Sequence, residues 1–174
     1  MEAIDRIRDT SESHERCSIV EVMGRNAGYI ALNTAVSTGA DAIIIPEFER
    51  DIENIIAMIR QKHQTGRANF IIVVAEGVPG GGERILNEIQ RNTNLEARLT
   101  ILGHIQRGGS PTITDRMYAT YMGGHAAHLL AQGIGNRIVG LKEGKIYDVD
   151  IFEGLAMVKS IDRDLYALAK VMEK

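Results

Sequence analysis

The sequence predicts an α/β fold, a three-layer sandwich in which helices flank a mostly parallel sheet. Five short apolar runs rich in β-branched residues alternate with segments of helical periodicity, which is typical of βαβ units. Many of the 18 glycines stand where an apolar run ends, as expected of loops that join strands to helices. We expect one domain over residues 1–174, because a chain of this length is long enough to bury a single core.

The apolar runs define the predicted strands, and the segments between them define the helices. A first helix is predicted from Met1 to about Arg8. The five strands are predicted at residues 18–23, 42–46, 70–75, 99–102 and 138–141. Between the second and third strands, isoleucines at i, i+3, i+4 and i+7 predict one apolar helical stripe that packs on the sheet. These isoleucines are Ile52, Ile55, Ile56 and Ile59.

A long helix is predicted after the fourth strand. Ser110 is the expected N-cap, and Pro111 fits the first helical position. The helix is expected to stop at Gly133, and the pair Gly123-Gly124 within it predicts close packing. The remaining predicted elements are a turn at 142–145, a strand at 146–149 and two helices around 152–157 and 165–172.

Composition and charge exclude several classes of protein. The chain has 20 Lys and Arg against 23 Asp and Glu, so no excess of positive charge favours nucleic acid or an anionic membrane as a partner. The single cysteine, Cys17, excludes an intramolecular disulfide. No apolar run approaches the ~20 residues of a membrane span, and no cysteine or histidine cluster predicts a metal site. We therefore expect a cytoplasmic protein that binds no metal itself.

Polar residues follow three of the predicted strands, at the edge where ligands of open parallel sheets bind. The first strand leads into a loop with Arg25 ahead of a helix, whose N-terminus would favour an anion. Glu76 follows the third strand, and a glycine-rich loop with His104 and Arg107 follows the fourth. Arginines suit phosphate, and a carboxylate suits sugar hydroxyls, so this edge predicts a sugar-phosphate site. Glu76 could equally accept backbone N–H groups at the nearby turns.

A second set of charges stands at the opposite ends of the strands. Its members, each placed just before a predicted strand, are Arg16, Asp41, Arg67 and Arg98. The six residues from Arg98 to His104 span about 20 Å when extended, too far for both side chains to bind one small ligand. If both bind the same sugar phosphate, two subunits must share the site.

The motifs together resemble the C-terminal half of bacterial ATP-dependent 6-phosphofructokinase. The resemblance is carried by Glu21-Val-Met-Gly-Arg25, by Glu76 and by Arg98-x-x-x-x-Gly103-His104-x-Gln106-Arg107-Gly108-Gly109-x-x-x-x-x-Asp115-Arg116. It covers essentially the whole chain and implies a Rossmann-like half. Residues 1–10 resemble the tail of the helix that joins this half to an N-terminal half, which is absent from this sequence.

The resemblance implies a fructose 6-phosphate site in this half. The implied substrate-binding residues are Met23, Gly24, Arg25, Glu76, His104, Ile105, Gln106 and Arg107, with Arg16 and Arg98 reaching into a neighbouring subunit. Arg25 would also touch the phosphoryl group that is transferred, which makes it the one catalytic candidate in this chain. Thr112 to Asp115 superficially resembles the family's Thr-x-Asp-x-Asp base motif, but we expect a structural role for Asp115 because it opens a capped helix.

The resemblance also implies an allosteric site between subunits for a nucleotide or a phosphoenolpyruvate-type effector. The matching residues are Arg8, Gly39, Ala40, Asp41, Thr65, Arg67, Ala68 and Asn69. ATP, magnesium and the catalytic base would belong to the N-terminal half, the whole enzyme would be a homotetramer, and this chain alone would be inactive. Two alternatives stay open: a pyrophosphate-dependent relative, and a non-catalytic regulatory module that binds sugar phosphates.

Overall fold

The computed structural model describes residues 1–11, 15–48 and 52–172. The elements in chain order are α1 (Glu2–Ser11), β1 (Arg16–Val22), α2 (Tyr29–Thr38), β2 (Ala42–Ile44), α3 (Ile52–Gln64), β3 (Phe70–Ala75), α4 (Gly81–Asn92), β4 (Glu96–Ile101), a short 3₁₀ helix (Gly103–Gln106), α5 (Ile113–Ala131), β5 (Arg137–Lys142), β6 (Lys145–Asp150), α6 (Ile151–Ala156) and α7 (Arg163–Met172). They form two compact units, Met1–Arg107 with Ile161–Lys174, and Gly108–Ser160. The prediction of one domain over residues 1–174 stays a prediction.

The first unit is built on a four-stranded sheet in which every neighbouring pair is parallel, in the order β2-β3-β1-β4. β3 is buried along its whole length, as expected of an inner parallel strand covered on both faces. The register pairs Val22 with Ala75 and Glu21 with Ile101, so β1, β3 and β4 end at one edge. This sheet and its helices confirm the predicted α/β fold.

Helices cover the sheet with the faces that the sequence predicts. Ile55, Ile56 and Ile59 of α3 are buried, which confirms the helical stripe. At the C-terminal end of the chain, Tyr166 of α7 stacks on Phe48 with ring centroids 4.2 Å apart. α7 therefore packs into the core of the first unit.

Cys17 lies in β1, between strands β3 and β4. It pairs in register with Phe70 on one side and Ala97 on the other, and it is fully buried. Burial raises the pKa of its thiol to about 12, and the charge of Asp41 adds to the shift. The thiol is therefore neutral and shielded in the folded chain.

The second unit joins the hairpin β5-β6 to the helices α5 and α6. Glu143 and Gly144 form the hairpin turn with positive φ angles of 52° and 75°, the geometry of a two-residue loop between antiparallel strands. A cluster of charged side chains also ties α5 to the hairpin. Asp148 accepts a hydrogen bond from Arg137 at 2.6 Å and lies 2.8 Å from Nε2 of His125.

Three predictions for the second unit are wrong. The run at 138–141 does not join the parallel sheet: it lies in β5, which pairs antiparallel with β6 across a two-residue turn in a separate two-stranded sheet. Thr112, and not Ser110, caps α5, since its hydroxyl accepts from the backbone of Asp115 while the Asp115 carboxylate accepts from the backbone of Thr112. At Gly123 and Gly124 an added Cβ would meet no atom of the described residues within 4 Å, so the pair packs closely against no part of the chain that the structure describes.

Among the residues that the structure describes, no helix is long and apolar enough to cross a bilayer.

Candidate functional site

The candidate site lies where β1 and β3 end side by side. The N–H of Glu76 donates to the carbonyl of Val22 at 2.9 Å, which extends the pairing of the two strands by one residue. The side chain of Glu76 therefore starts at the same level as the loop that follows β1.

The carboxylate of Glu76 organises that loop. Its Oε1 accepts hydrogen bonds from the backbone N–H groups of Gly24 at 3.0 Å and Arg25 at 2.6 Å. These two bonds lower the pKa of Glu76, and the nearby charges of Arg107 and Arg25 lower it further. Glu76 is thus the backbone acceptor that the sequence left as one of two alternatives, and it stays ionised.

The loop after β1 holds Arg25 in an uncommon conformation. Arg25 has a φ of 52°, in the left-handed region that residues with side chains rarely adopt. The adjacent Gly77 has no room for a side chain, because an added Cβ would lie 2.1 Å from the carbonyl oxygen of Arg25. Gly77 therefore allows the loops after β1 and β3 to approach this closely.

Glutamates accept hydrogen bonds at the N-termini of α2 and α4, the helices that follow β1 and β3. Glu47 Oε1 accepts from the N–H of Gly28, the N-cap of α2, at 2.7 Å. Glu21 Oε2 accepts from the N–H of Gly82 in the first turn of α4 at 2.6 Å. The expected anion at the N-terminus of α2 is thus a side chain of the protein. The exposed side chains of Arg25 and Arg107 are the positive charges available at this edge for a phosphate.

The loop after β4 is tied to the same edge. Gln106 Oε1 accepts from the N–H of Met23 at 2.9 Å, and the N–H of Leu102 donates to the carbonyl of Glu21 at 3.1 Å. Arg107 closes the 3₁₀ helix by donating its N–H to the carbonyl of His104 at 3.0 Å, and both side chains are exposed. Ile105, in the same helix, is 83% exposed.

The structure thereby brings most of the predicted substrate-binding residues together. Backbone hydrogen bonds and charge contacts connect Met23, Gly24, Arg25, Glu76, Gln106 and Arg107. His104 and Ile105 belong to the same short helix as Gln106. The role of Glu47 was not predicted, because its partner Gly28 is 19 positions away in sequence and no local pattern marks the contact.

Arg16 and Arg98 lie at the opposite end of the sheet and share one carboxylate. Glu96 Oε2 is 3.1 Å from Nη2 of Arg16, and Glu96 Oε1 is 2.7 Å from Nε of Arg98. The hydrogen bond from Arg98 contributes most to lowering the pKa of Glu96, and the hydrogen bond from Arg16 lowers it further. Arg16 is the first residue of β1 and Arg98 lies inside β4, which begins at Glu96, so the prediction that each stands before its strand is wrong. The strand begins before its apolar run, since the exposed Glu96 and Arg98 alternate with the buried Ala97.

A pocket of about 250 Å³ gathers most of the predicted effector residues. It is lined by Arg8, Gly39, Asp41, Arg67, Ala68, Asn69 and Ile71. Of the two other predicted residues, Ala40 is buried, and Thr65 is exposed with its hydroxyl donating to the carbonyl of Lys62 at 2.8 Å. Neither lines this pocket.

A buried aspartate sets the electrostatics of this pocket. Asp41 is 5% exposed, and its Oδ1 lies 2.5 Å from Nη2 of Arg67 and 3.9 Å from Nζ of Lys62. Its Oδ2 accepts from the N–H of Ile71 at 2.9 Å. On the other side, Arg8 donates to the carbonyl of Gly39 at 3.4 Å. The pocket thus combines two guanidinium groups with one carboxylate that Arg67 and Lys62 balance.

Comparison with known proteins identifies the family. The sequence profile of the family described as phosphofructokinase matches residues 1–130. The chain belongs to the phosphofructokinase family. Its curated relatives include the ATP-dependent 6-phosphofructokinase of Clostridium botulinum (strain Hall), which is 49% identical over 174 residues, all of this chain and 54% of the relative. The enzyme of the same name from Bacillus thuringiensis (strain Al Hakam) is 48% identical over 170 residues, 98% of this chain and 53% of the relative.

Solved phosphofructokinase structures share the fold. Phosphofructokinase from Saccharomyces cerevisiae superposes with a TM-score of 0.80 at 30% identity, over 99% of this chain and 23% of that one. A pyrophosphate-dependent phosphofructokinase from Nitrosospira multiformis gives a TM-score of 0.72 at 20% identity, over 87% of this chain and 43% of that one, and shares the fold. This member of the phosphofructokinase family spans about half the length of the curated relatives it matches.

Proposed function

We propose that this chain is the fructose 6-phosphate-binding half of a 6-phosphofructokinase. The whole enzyme would transfer the γ-phosphoryl group of MgATP to fructose 6-phosphate, which gives fructose 1,6-bisphosphate in glycolysis. The observation that carries the proposal is the cluster in which Glu76 holds the loop of Arg25 beside Arg107. A fixed carboxylate between two exposed arginines suits a ligand that has both hydroxyl groups and a phosphate.

In this proposal the chain positions the acceptor sugar. Among the described residues, no hydrogen-bond donor reaches Oε2 of Glu76, which leaves that oxygen for a sugar hydroxyl. Arg107 and His104 would bind the sugar phosphate from the loop after β4. Arg25 would place its guanidinium group near the transferring phosphoryl, where negative charge develops.

The nucleotide and its magnesium ion would be held by the other half of the enzyme. The described residues contain no group of three His, Cys, Asp or Glu side chains that could ligate a metal. The magnesium ion would supply charge neutralisation at the transferring phosphate, and we assign it no ligand in this chain. We accordingly expect the chain alone to be inactive as a kinase.

Arg16 and Arg98 would bind the substrate of a neighbouring subunit in a homotetramer. They lie at the end of the sheet opposite to Glu76, so they would serve a different copy of the site. The 250 Å³ pocket beside Asp41 and Arg67 would hold part of an allosteric site for a nucleotide or a phosphoenolpyruvate-type effector. Its two guanidinium groups suit the phosphate that both kinds of effector carry.

ATP is the phosphoryl donor that we propose. The curated relatives that are 48–49% identical to the chain are named ATP-dependent. The pyrophosphate-dependent structures match at 19–20% identity, which supports a shared fold and nothing about the donor. We expect the enzyme to act in the cytoplasm without nucleic acid or membrane partners.

The first test is a calorimetric titration of the chain with fructose 6-phosphate at low salt, while light scattering records its mass in solution. Saturable heat that disappears with fructose and with the Arg107→Ala variant would support a preformed acceptor site. Arg84→Ala is the matched control, because Arg84 is also an exposed arginine near this edge but its side chain donates to the carbonyl of Pro79. A folded tetramer that fails to bind fructose 6-phosphate would contradict the assignment of the site.

A further inference from the structure

Three charged side chains meet at the amino end of the sheet, and the proposed function uses two of them. Arg16 is the first residue of β1 and Glu96 the first residue of β4, and the parallel register pairs them directly. Arg98 lies two residues further along β4. Because side chains alternate between faces along a strand, Glu96 and Arg98 lie on the same face of the sheet as Arg16.

The carboxylate of Glu96 stands between the two arginines and is shared by them. One oxygen contacts Nη2 of Arg16 at 3.1 Å, and the other accepts from Nε of Arg98 at 2.7 Å. Each arginine keeps further N–H groups, since a guanidinium group carries five. Nε of Arg16 is buried and has no hydrogen-bond partner among the described residues. The two guanidinium groups are thus held close together with donors to spare.

Stability is a poor explanation for this arrangement. The side chains of Glu96 and Arg98 are 51% and 63% exposed, so water screens their pairing strongly, and although Arg16 is only 19% exposed, the carboxylate that it shares lies half in solvent. A ligand explains it better, because a carboxylate and a phosphate ester compete for the same planar guanidinium donors. Glu96 occupies the donors that an incoming phosphate would use.

We propose that Glu96 is an internal ligand which a phosphate ester must displace from Arg16 and Arg98, and which thereby sets the affinity of this two-arginine site. The inference rests on the proposed function, in which these arginines bind a sugar phosphate. Two guanidinium charges and one carboxylate charge leave the cluster with a net charge of +1, and loss of the carboxylate would leave +2. A doubly charged phosphate is attracted more strongly to the second arrangement.

The sign of one substitution separates this role from a purely architectural one. If Glu96 only held the arginines in place, its neutralisation would weaken phosphate binding because their spacing would be lost. If Glu96 competes with phosphate, neutralisation strengthens binding. Glu96→Gln keeps the shape of the side chain and one acceptor oxygen while removing the charge.

The test follows the Nε–H resonances of Arg16 and Arg98 by NMR during a titration with inorganic phosphate at low ionic strength. These resonances report on this site even if phosphate also binds elsewhere on the chain. We expect Glu96→Gln to tighten phosphate binding by about fivefold. In the double variant Glu96→Gln/Arg98→Ala, we expect the tighter phosphate binding of Glu96→Gln to be lost. Glu143→Gln removes a negative charge from an exposed turn of the second unit and serves as the matched control.

Phosphate binding that is unchanged or weaker in Glu96→Gln overturns the competition. If Arg98→Ala still weakens phosphate binding of the unsubstituted chain in that case, the arginines keep their proposed function and only the role of Glu96 falls. If Arg98→Ala has no effect on either background, the proposed function of this end of the sheet falls as well.

Discussion

The carboxylate of Glu76 fixes the backbone of Arg25, 51 positions away in sequence, through a hydrogen bond of 2.6 Å to its N–H group. The same oxygen holds Gly24, so one side chain at the end of β3 shapes the loop at the end of β1. The position of the Arg25 side chain therefore depends on a residue that carries the opposite charge.

Neutralising Glu76 should weaken substrate binding. In Glu76→Gln, the hydrogen bonds to the Gly24 and Arg25 N–H groups lose their charge, and such bonds are weaker than those to a carboxylate. We expect the dissociation constant for fructose 6-phosphate to rise on the order of tenfold. Calorimetry on the chain measures it, with Glu83→Gln as the control at an exposed glutamate of the same unit. An unchanged dissociation constant would contradict the role of Glu76.

A single added methyl group at Gly77 should displace the loop that carries Arg25. The Cβ of Gly77→Ala would lie 2.1 Å from a backbone oxygen that cannot move alone, so the two loops must separate. We expect a loss of fructose 6-phosphate affinity in a chain that keeps its circular dichroism spectrum. Gly124→Ala is the matched control, because its Cβ would meet none of the described atoms within 4 Å and alanine favours a helix by roughly 0.5–1 kcal/mol.

Arg25 should affect the chemical step of the whole enzyme. A guanidinium group near the transferring phosphoryl stabilises the transition state more than the bound substrate, so Arg25→Ala should lower kcat. Steady-state kinetics of a full-length enzyme that carries this half measure the effect, and Arg25→Lys controls for charge without the planar group. A variant with raised KM and intact kcat would reduce Arg25 to a binding residue.

Removing the buried charge of Asp41 should destabilise the first unit. Asp41 is 5% exposed, and Asp41→Asn would leave the half-exposed guanidinium group of Arg67 without its carboxylate partner. We expect the free energy of unfolding in urea to fall by about 2 kcal/mol. Asp9→Asn on the exposed surface of α1 should change it far less. Equal effects of the two substitutions would mean that the pairing of Asp41 contributes nothing specific.

The first turn of α5 should lose protection in acid. Hydrogen bonds from Thr112 lower the pKa of Asp115, so its contribution to stability is complete above the ordinary pKa of 3.8. That contribution disappears as the pH falls through the lowered value. Hydrogen exchange of the α5 amides should show fraying below about pH 4, and in Asp115→Asn already at neutral pH.

The substitution Asp115→Asn also tests whether Asp115 has only a structural role and none in catalysis. A full-length Asp115→Asn enzyme should keep its kcat, since Asp115 serves the capping box of α5. A large loss of kcat in that enzyme, with the helix intact by hydrogen exchange, would assign Asp115 to the chemistry after all.

The sequence predicted correctly those elements whose apolar pattern matches the residues that are buried. β3 has the predicted bounds because all six of its residues are apolar and buried, and α3 buries the predicted isoleucines. The shared edge of Arg25, Glu76 and Arg107 followed from the rule that parallel strands end together. Sequence could not reveal that Gln106 accepts from Met23, because the two are 83 positions apart. An apolar run such as 138–141 also predicts a strand without predicting which sheet that strand joins.

The reactivity of Cys17 can report how often the centre of the sheet opens. Its thiol lies between two neighbouring strands, with its pKa raised to about 12, so a thiol-modifying reagent can react only after β1 has left its neighbours. The labelling rate of Cys17 then measures how often β1, which runs from the Arg16 end of the sheet to the Glu76 end, separates from β3 and β4. A ligand bound at either end of the sheet should slow the labelling of Cys17. Comparing the labelling rates with a ligand at one end and at the other would show how much each ligand stabilises β1 against opening.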